Sequence, residues 1–120
     1  MRFGKSKAKK LGPREAADAL ARGELVLVDV REPQERTKTR VEGSLHIPLG
    51  QLAERLGELP QDRPVAFICH SGRRSASAAA AASKQGLEAA NVRGGLVAWS
   101  DAGLPLDAHR EPRTGPEGVA

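Results

Sequence analysis

Apolar positions along the chain fall into short blocks of two kinds. Leu25-Val26-Leu27-Val28-Asp29-Val30 and Val65-Ala66-Phe67-Ile68 are nearly continuous apolar runs of strand-forming residues. Such runs belong to strands buried on both faces, the habit of parallel sheets. Around them, apolar residues recur at helical spacing. Ala16, Ala17, Leu20 and Ala21 form one helical face behind Gly12-Pro13, where proline suits a first turn, and Gly23 closes it. Leu49, Leu52, Ala53, Leu56 and Leu59 form a second face, ended by Pro60. Residues 76–85 contain no Gly or Pro and are dense in alanine, the strongest helix former; Gly86 stops them. Shorter helices are expected at residues 34–37 and 96–99, and shorter strands at 8–11, 45–47 and 89–92. Residues 38–44 read as a loop, and the chain from Asp107 onward as a loose tail.

Strands alternating with helices imply an α/β domain, a parallel sheet covered on both faces. In such sheets ligands sit beyond the C-terminal strand ends, where the strand order reverses. Asp29, Arg31 and Cys69 all lie at such ends, and they share one rim if their strands are neighbours. The pattern alone leaves that adjacency open. A carboxylate in the apolar run at Asp29 is costly unless paired. The 120 residues suit one core. With Phe3, Phe67 and Trp99 as the only aromatics, that core is built from small side chains, which let helices lie close on a sheet.

Charge divides unevenly. Residues 1–14 carry Arg2, Lys5, Lys7, Lys9, Lys10 and Arg14 and no acidic residue; of 19 basic residues in all, 13 remain against 15 acidic ones. The net charge of +4 is therefore an N-terminal arm and not a face of the domain. The arm, residues 1–12, reads as a solvated tail. It lacks the interleaved aromatics that stack on bases, so nucleic acid is not expected as a partner. No segment approaches the ~18 apolar residues of a membrane span, and no apolar stretch follows the basic arm as in a signal peptide. One cysteine excludes an internal disulfide and fits a reducing, cytoplasmic setting.

That cysteine stands where the second apolar run ends and the alanine-rich helix begins, in Cys69-His70-Ser71-Gly72-Arg73-Arg74-Ser75. The turn before a helix offers free backbone N–H groups and the positive end of the helix dipole. Two arginines add fixed charge, and a thiol placed there ionises readily. The functional reading is a nucleophile in an anion cradle; the plainer one is a small buried residue at a strand end.

Val28-Asp29-Val30-Arg31-Glu32-Pro33, Ile47-Pro48, the Cys69–Ser75 stretch, Val92-Arg93-Gly94-Gly95-Leu96-Val97-Ala98-Trp99 and Ala102-Gly103-Leu104-Pro105, in that order and spacing, strongly resemble a single-domain rhodanese. The likeness runs over residues 13–106. It implies a three-layer α/β/α sandwich around a five-stranded parallel sheet, with the Asp29 strand beside the Cys69 strand. It also implies sulfurtransferase chemistry, in which Cys69 takes sulfur from thiosulfate or a persulfide donor, holds it as a persulfide and passes it to cyanide or a thiol. That route needs no cofactor and no metal, and it allows a protein as sulfur donor or acceptor. His70, Ser71, Gly72, Arg73, Arg74 and Ser75 then form the substrate loop, the amides of His70 through Arg74 sharing the persulfide charge and Ser75 standing in the first turn of the helix; Asp29 and Arg31 either pair with loop residues and fix the rim or form a purely structural salt bridge. A general-base role for His70 is disfavoured, since neighbouring side chains in a tight loop diverge. Two other readings compete. A Cys-dependent phosphatase or arsenate reductase uses a similar loop, but four residues separate Cys69 from Arg74, one fewer than the tyrosine-phosphatase pattern. A non-catalytic interaction module would keep the fold without the transfer.

Overall fold

The computed structural model describes residues 2–4 and 7–108. Strands β1 (Lys9–Leu11), β2 (Val26–Asp29), β3 (Thr39–Arg40), β4 (Leu45–His46), β5 (Val65–Ile68), β6 (Ala89–Val92) and β7 (Asp107–Ala108) alternate with helices α1 (Pro13–Ala21), α2 (Pro33–Lys38), α3 (Leu52–Arg55), α4 (Arg73–Lys84) and α5 (Gly95–Asp101). Five strands form one parallel sheet in the order β1-β6-β5-β2-β4. The order reverses between β5 and β2, whose residues pair Val26 to Val65 through Asp29 to Ile68. The two apolar runs are thus neighbours, and Asp29 and Cys69 share a rim.

Alternation along β5 divides the core in two. Val65, Phe67 and Cys69 face Ala78, Ala79 and Ala82 of α4, together with Leu52 of α3. Ala66 and Ile68 face the other way, toward Ala16 and Ala19 of α1 and Leu96 and Trp99 of α5. Helices therefore cover both faces in three layers, and the alanines of α4 let it sit close on the sheet. No helix among the described residues is long and apolar enough to cross a membrane.

Four local expectations change. The helical face from Leu49 to Leu59 is not one helix: 3₁₀ turns at Leu49–Gln51 and Leu56–Glu58 flank the single turn of α3. Gly50 and Gly57, poor helix residues, sit in those turns. Residues 38–44 are not all loop, because Thr39–Arg40 pairs antiparallel with Asp107–Ala108, which gives the first two residues of the expected tail a partner. Residues 109–120, the rest of that tail, lie outside the described residues. The arm is not wholly solvated: Arg2 and the Phe3 and Gly4 amides hold the buried Glu88 carboxylate just before β6. Finally, α4 begins at Arg73, so Arg73 and Arg74 join Ser75 in its first turn and do not belong to the connecting loop.

Candidate active site

Each helix begins with N–H groups that have no partner inside the helix. In α4 the residue before the first turn is Gly72, which has no side chain to accept them. The sulfur of Cys69 takes that place. It accepts hydrogen bonds from the Gly72 N–H (3.1 Å), the Ser75 N–H (3.4 Å) and the Ser75 hydroxyl (3.2 Å), and the Ser71 N–H adds to them. Gly72 has φ +102°, and a Cβ there would press on the Gly94 backbone nitrogen at 3.1 Å. Glycine is therefore required both for the turn and for the space.

The loop's carbonyls are drawn the opposite way. The first N–H groups of α5 are also orphaned, and they donate to the loop: Leu96 to the Cys69 carbonyl (2.9 Å) and Val97 to the His70 carbonyl (3.1 Å). In a trans peptide the C=O and the next N–H point in opposite directions. Holding those two carbonyls against α5 turns the following amides toward the sulfur side. Gly95 makes the approach feasible, since a Cβ on it would overlap both carbonyl oxygens.

Burial acts on the sulfur first. Cys69 is 1% exposed, and desolvation pushes its thiol pKa up. The hydrogen bonds from the Ser75 hydroxyl and from the Ser75, Gly72 and Ser71 amides outweigh that and leave it below the ordinary thiol value.

The charged groups are arranged less openly than their spacing suggests. Asp29, also buried, accepts from the Arg31 N–H (3.0 Å), from the Arg31 guanidinium (2.9 Å at its closest) and from Arg36 (3.2 Å). Arg31 reaches on to the Thr39 carbonyl (2.6 Å), and His46 Nε2 donates to the Arg31 carbonyl (2.8 Å). This network offsets the cost of the buried carboxylate and ties β2, α2 and β3 together. Arg74 is not free for a ligand: Glu35 of α2 grips its guanidinium with both oxygens, at 2.7 and 2.9 Å. Arg73 is exposed and has no hydrogen-bond or ion-pair partner among the described residues. His70 and Ser71 are exposed beside it, and His70 makes no hydrogen bond to the sulfur.

Glu35 and Asn91 did not stand out in the sequence. Glu35 gave no signal, since its partner lies 39 residues away. Asn91 did give one: like Asp29, it is a polar residue near the end of a buried strand, and it bonds both Ser75 and the Gly72 carbonyl.

The Arg74 guanidinium holds the Glu35 carboxyl down, from the ordinary 4.5 to about 2, against a smaller opposing effect of burial. A depressed carboxylate contributes stability that is complete above its unfolded value and is lost on acidification through the folded one. Unfolding midpoints should therefore fall from about pH 4.5 down toward pH 2. Glu35→Gln should flatten the curve over that window, which acid titrations of both proteins followed by circular dichroism would show.

A family model, the Rhodanese-like domain, matches residues 12–102. The chain belongs to that family. A sulfurtransferase of Allochromatium vinosum is 38% identical over 86 residues, covering 71% of this chain and 80% of that protein. The thiosulfate sulfurtransferase GlpE of Pseudomonas syringae is 36% identical over 88 residues, covering 72% and 83%. The crystal structure of a rhodanese-related protein from Thermoplasma volcanium superposes with a TM-score of 0.77 at 30% identity, covering 82% of this chain and 97% of that one. The match takes in β2, β5 and the whole loop from Cys69 to Ser75, so the rhodanese-like region is the part of the chain that builds the site.

Proposed function

We propose that this protein is a sulfurtransferase that carries sulfane sulfur on Cys69. One observation carries the reading: two backbone amides and a hydroxyl converge on a single sulfur at the N-terminus of α4. They favour the thiolate, which is the attacking form. With thiosulfate as donor, the Cys69 thiolate attacks the outer sulfur. A Cys69–sulfur bond forms, the sulfur–sulfur bond of thiosulfate breaks, and its electron pair leaves with sulfite. The terminal sulfur of the persulfide is then the anion in the bowl, sharing its charge with the same amides. Cyanide or a thiol attacks that terminal sulfur, takes it away and returns the thiolate, so the route is ping-pong. The persulfide is the carrier, and the chemistry calls on no other cofactor.

The charge pattern supports a small anionic donor. Arg74 is neutralised by Glu35, so the attraction falls to Arg73, which has no partner among the described residues and is exposed beside His70 and Ser71. A persulfide delivered by a protein partner would meet the same exposed groups. The relatives named as sulfurtransferase and thiosulfate sulfurtransferase agree with this class of reaction.

Intact-mass measurement after incubation with thiosulfate tests the reading. The expected result is a gain of one sulfur atom on Cys69, removed by adding cyanide. A protein that gains no sulfur, although its thiol still reacts with iodoacetamide, would count as an interaction module instead.

A further inference from the structure

Asn91 sits on β6, 9% exposed, with its carboxamide wedged between the loop and the first turn of α4. Its Nδ2 donates to the Gly72 carbonyl at 3.2 Å. A carbonyl can only accept, so this contact fixes which end of the amide faces the loop. The other end, Oδ1, lies 2.6 Å from Ser75 Oγ. Between those two oxygens there is one hydrogen, that of the serine hydroxyl. The same hydroxyl lies 3.2 Å from the Cys69 sulfur. A serine has one proton to donate, and two acceptors claim it.

The two claims correspond to two states of the cysteine. While Ser75 donates to Asn91, its oxygen lone pairs face the sulfur and suit a neutral thiol, whose S–H donates to Oγ. When the thiol ionises, the hydroxyl must turn to the sulfur. Ser75 Oγ and Asn91 Oδ1 are then left facing each other with no hydrogen between them, which is repulsive at that separation. We propose that Asn91 is a positioning residue that competes with the Cys69 sulfur for the Ser75 proton and thereby limits how readily the thiol ionises. The inference rests on the reading of Cys69 as the nucleophile, and it adds a restraint on that nucleophile.

The charged groups around the sulfur leave this competition intact. On β2, Asp29 is held between Arg31 and Arg36; on α4, Arg74 is held by Glu35 of α2. His70 and Arg73 are exposed on the loop and at the start of α4. From α5 the loop receives the Leu96 and Val97 N–H groups, and the one charged residue of that helix, Asp101, is at its far end. From β6 the contact is Asn91 itself.

The pH dependence of alkylation tests the proposal, because Cys69 is the only cysteine and the readout needs no sulfur donor. Iodoacetamide rates are measured against pH for the wild type, Asn91→Ala, Ser75→Ala and the double variant. Asn91→Leu, close to asparagine in size, replaces Asn91→Ala if the smaller residue unfolds; Gly72 O keeps the Ala76 N–H at 3.2 Å in either case. Removing the competing acceptor should lower the alkylation midpoint enough to raise the thiolate fraction severalfold at a fixed pH below it. In the Ser75→Ala background the same change should have no effect, since no proton remains to be shared. A merely structural role for Asn91 would move the midpoint alike in both backgrounds. That result, or a midpoint that stays or rises in Asn91→Ala, overturns the proposal. Failure to gain sulfur from thiosulfate would instead strike the sulfurtransferase reading and leave the alkylation comparison standing.

Discussion

Cys69→Ser should lose at least ~10³-fold in sulfur transfer and keep its fold. Serine is the nearest substitute in shape, and its hydroxyl would meet the same donors, the Gly72 and Ser75 amides and the Ser75 hydroxyl. Stability should therefore move by no more than about 1 kcal/mol. The loss is chemical. A thiol comes within reach of ionisation when amides surround it, whereas a hydroxyl stays protonated near neutrality without a base to take its proton. The adjacent imidazole, that of His70, is exposed and makes no hydrogen bond to the sulfur. An oxygen also cannot store sulfane sulfur as a persulfide, so the two-step route has no intermediate. Steady-state assays with thiosulfate and cyanide, alongside thermal melts, measure both quantities. Turnover surviving at a tenth of the wild-type rate would remove Cys69 from the reaction.

Gly95→Ala should be the most damaging single change outside the loop itself. Gly95 has φ +58°, so any other residue there carries about 1–2 kcal/mol of backbone strain. The added Cβ would also run into the Cys69 and His70 carbonyl oxygens. Those are backbone atoms and cannot swing aside as a side-chain tip would. Helix α5 would have to back away, breaking the Leu96 and Val97 hydrogen bonds and releasing the two carbonyls. The expected total is roughly 3–4 kcal/mol. Turnover should fall about 10²-fold as the amides lose their aim. Gly86→Ala is the control. Its φ is +90° but open space surrounds it, so strain alone should act and turnover should hold. Equal losses of activity in the two variants would show that contact with α5 does not shape the loop.

What the sequence disclosed and what it withheld divide along a physical line. Local features were legible: apolar runs for β2 and β5, alanine density for α4, and the placement of Cys69 at a strand end. The neighbouring of β2 and β5 came from the family likeness, since periodicity says nothing about strand order. Contacts between segments distant in sequence were not visible. Glu35 meets Arg74 across 39 positions, and this leaves Arg73, instead of both arginines, without a partner among the described residues. Thr39 meets Ala108 in a pair too short to leave a pattern of its own. The helix α4 starts earlier than its alanines suggest because Arg73 and Arg74 read as loop residues, although the sulfur of Cys69 supplies the cap their helix requires. Asn91 was within reach, because a polar residue in a buried strand raises the same question as Asp29 does.

The pairing of the α5 amides with the Cys69 and His70 carbonyls bears on synthesis as well. A ribosome emitting this chain releases the cysteine more than twenty residues before Leu96 and Val97, the groups that orient its surroundings. Until they arrive, the Cys69 and His70 carbonyls lack the clamp that turns the His70 and Ser71 amides, and the cradle around the thiol is incomplete. Full reactivity is thus reached only once α5 has docked, so an unfinished polypeptide offers oxidants and stray electrophiles a less tempting target than the finished fold does.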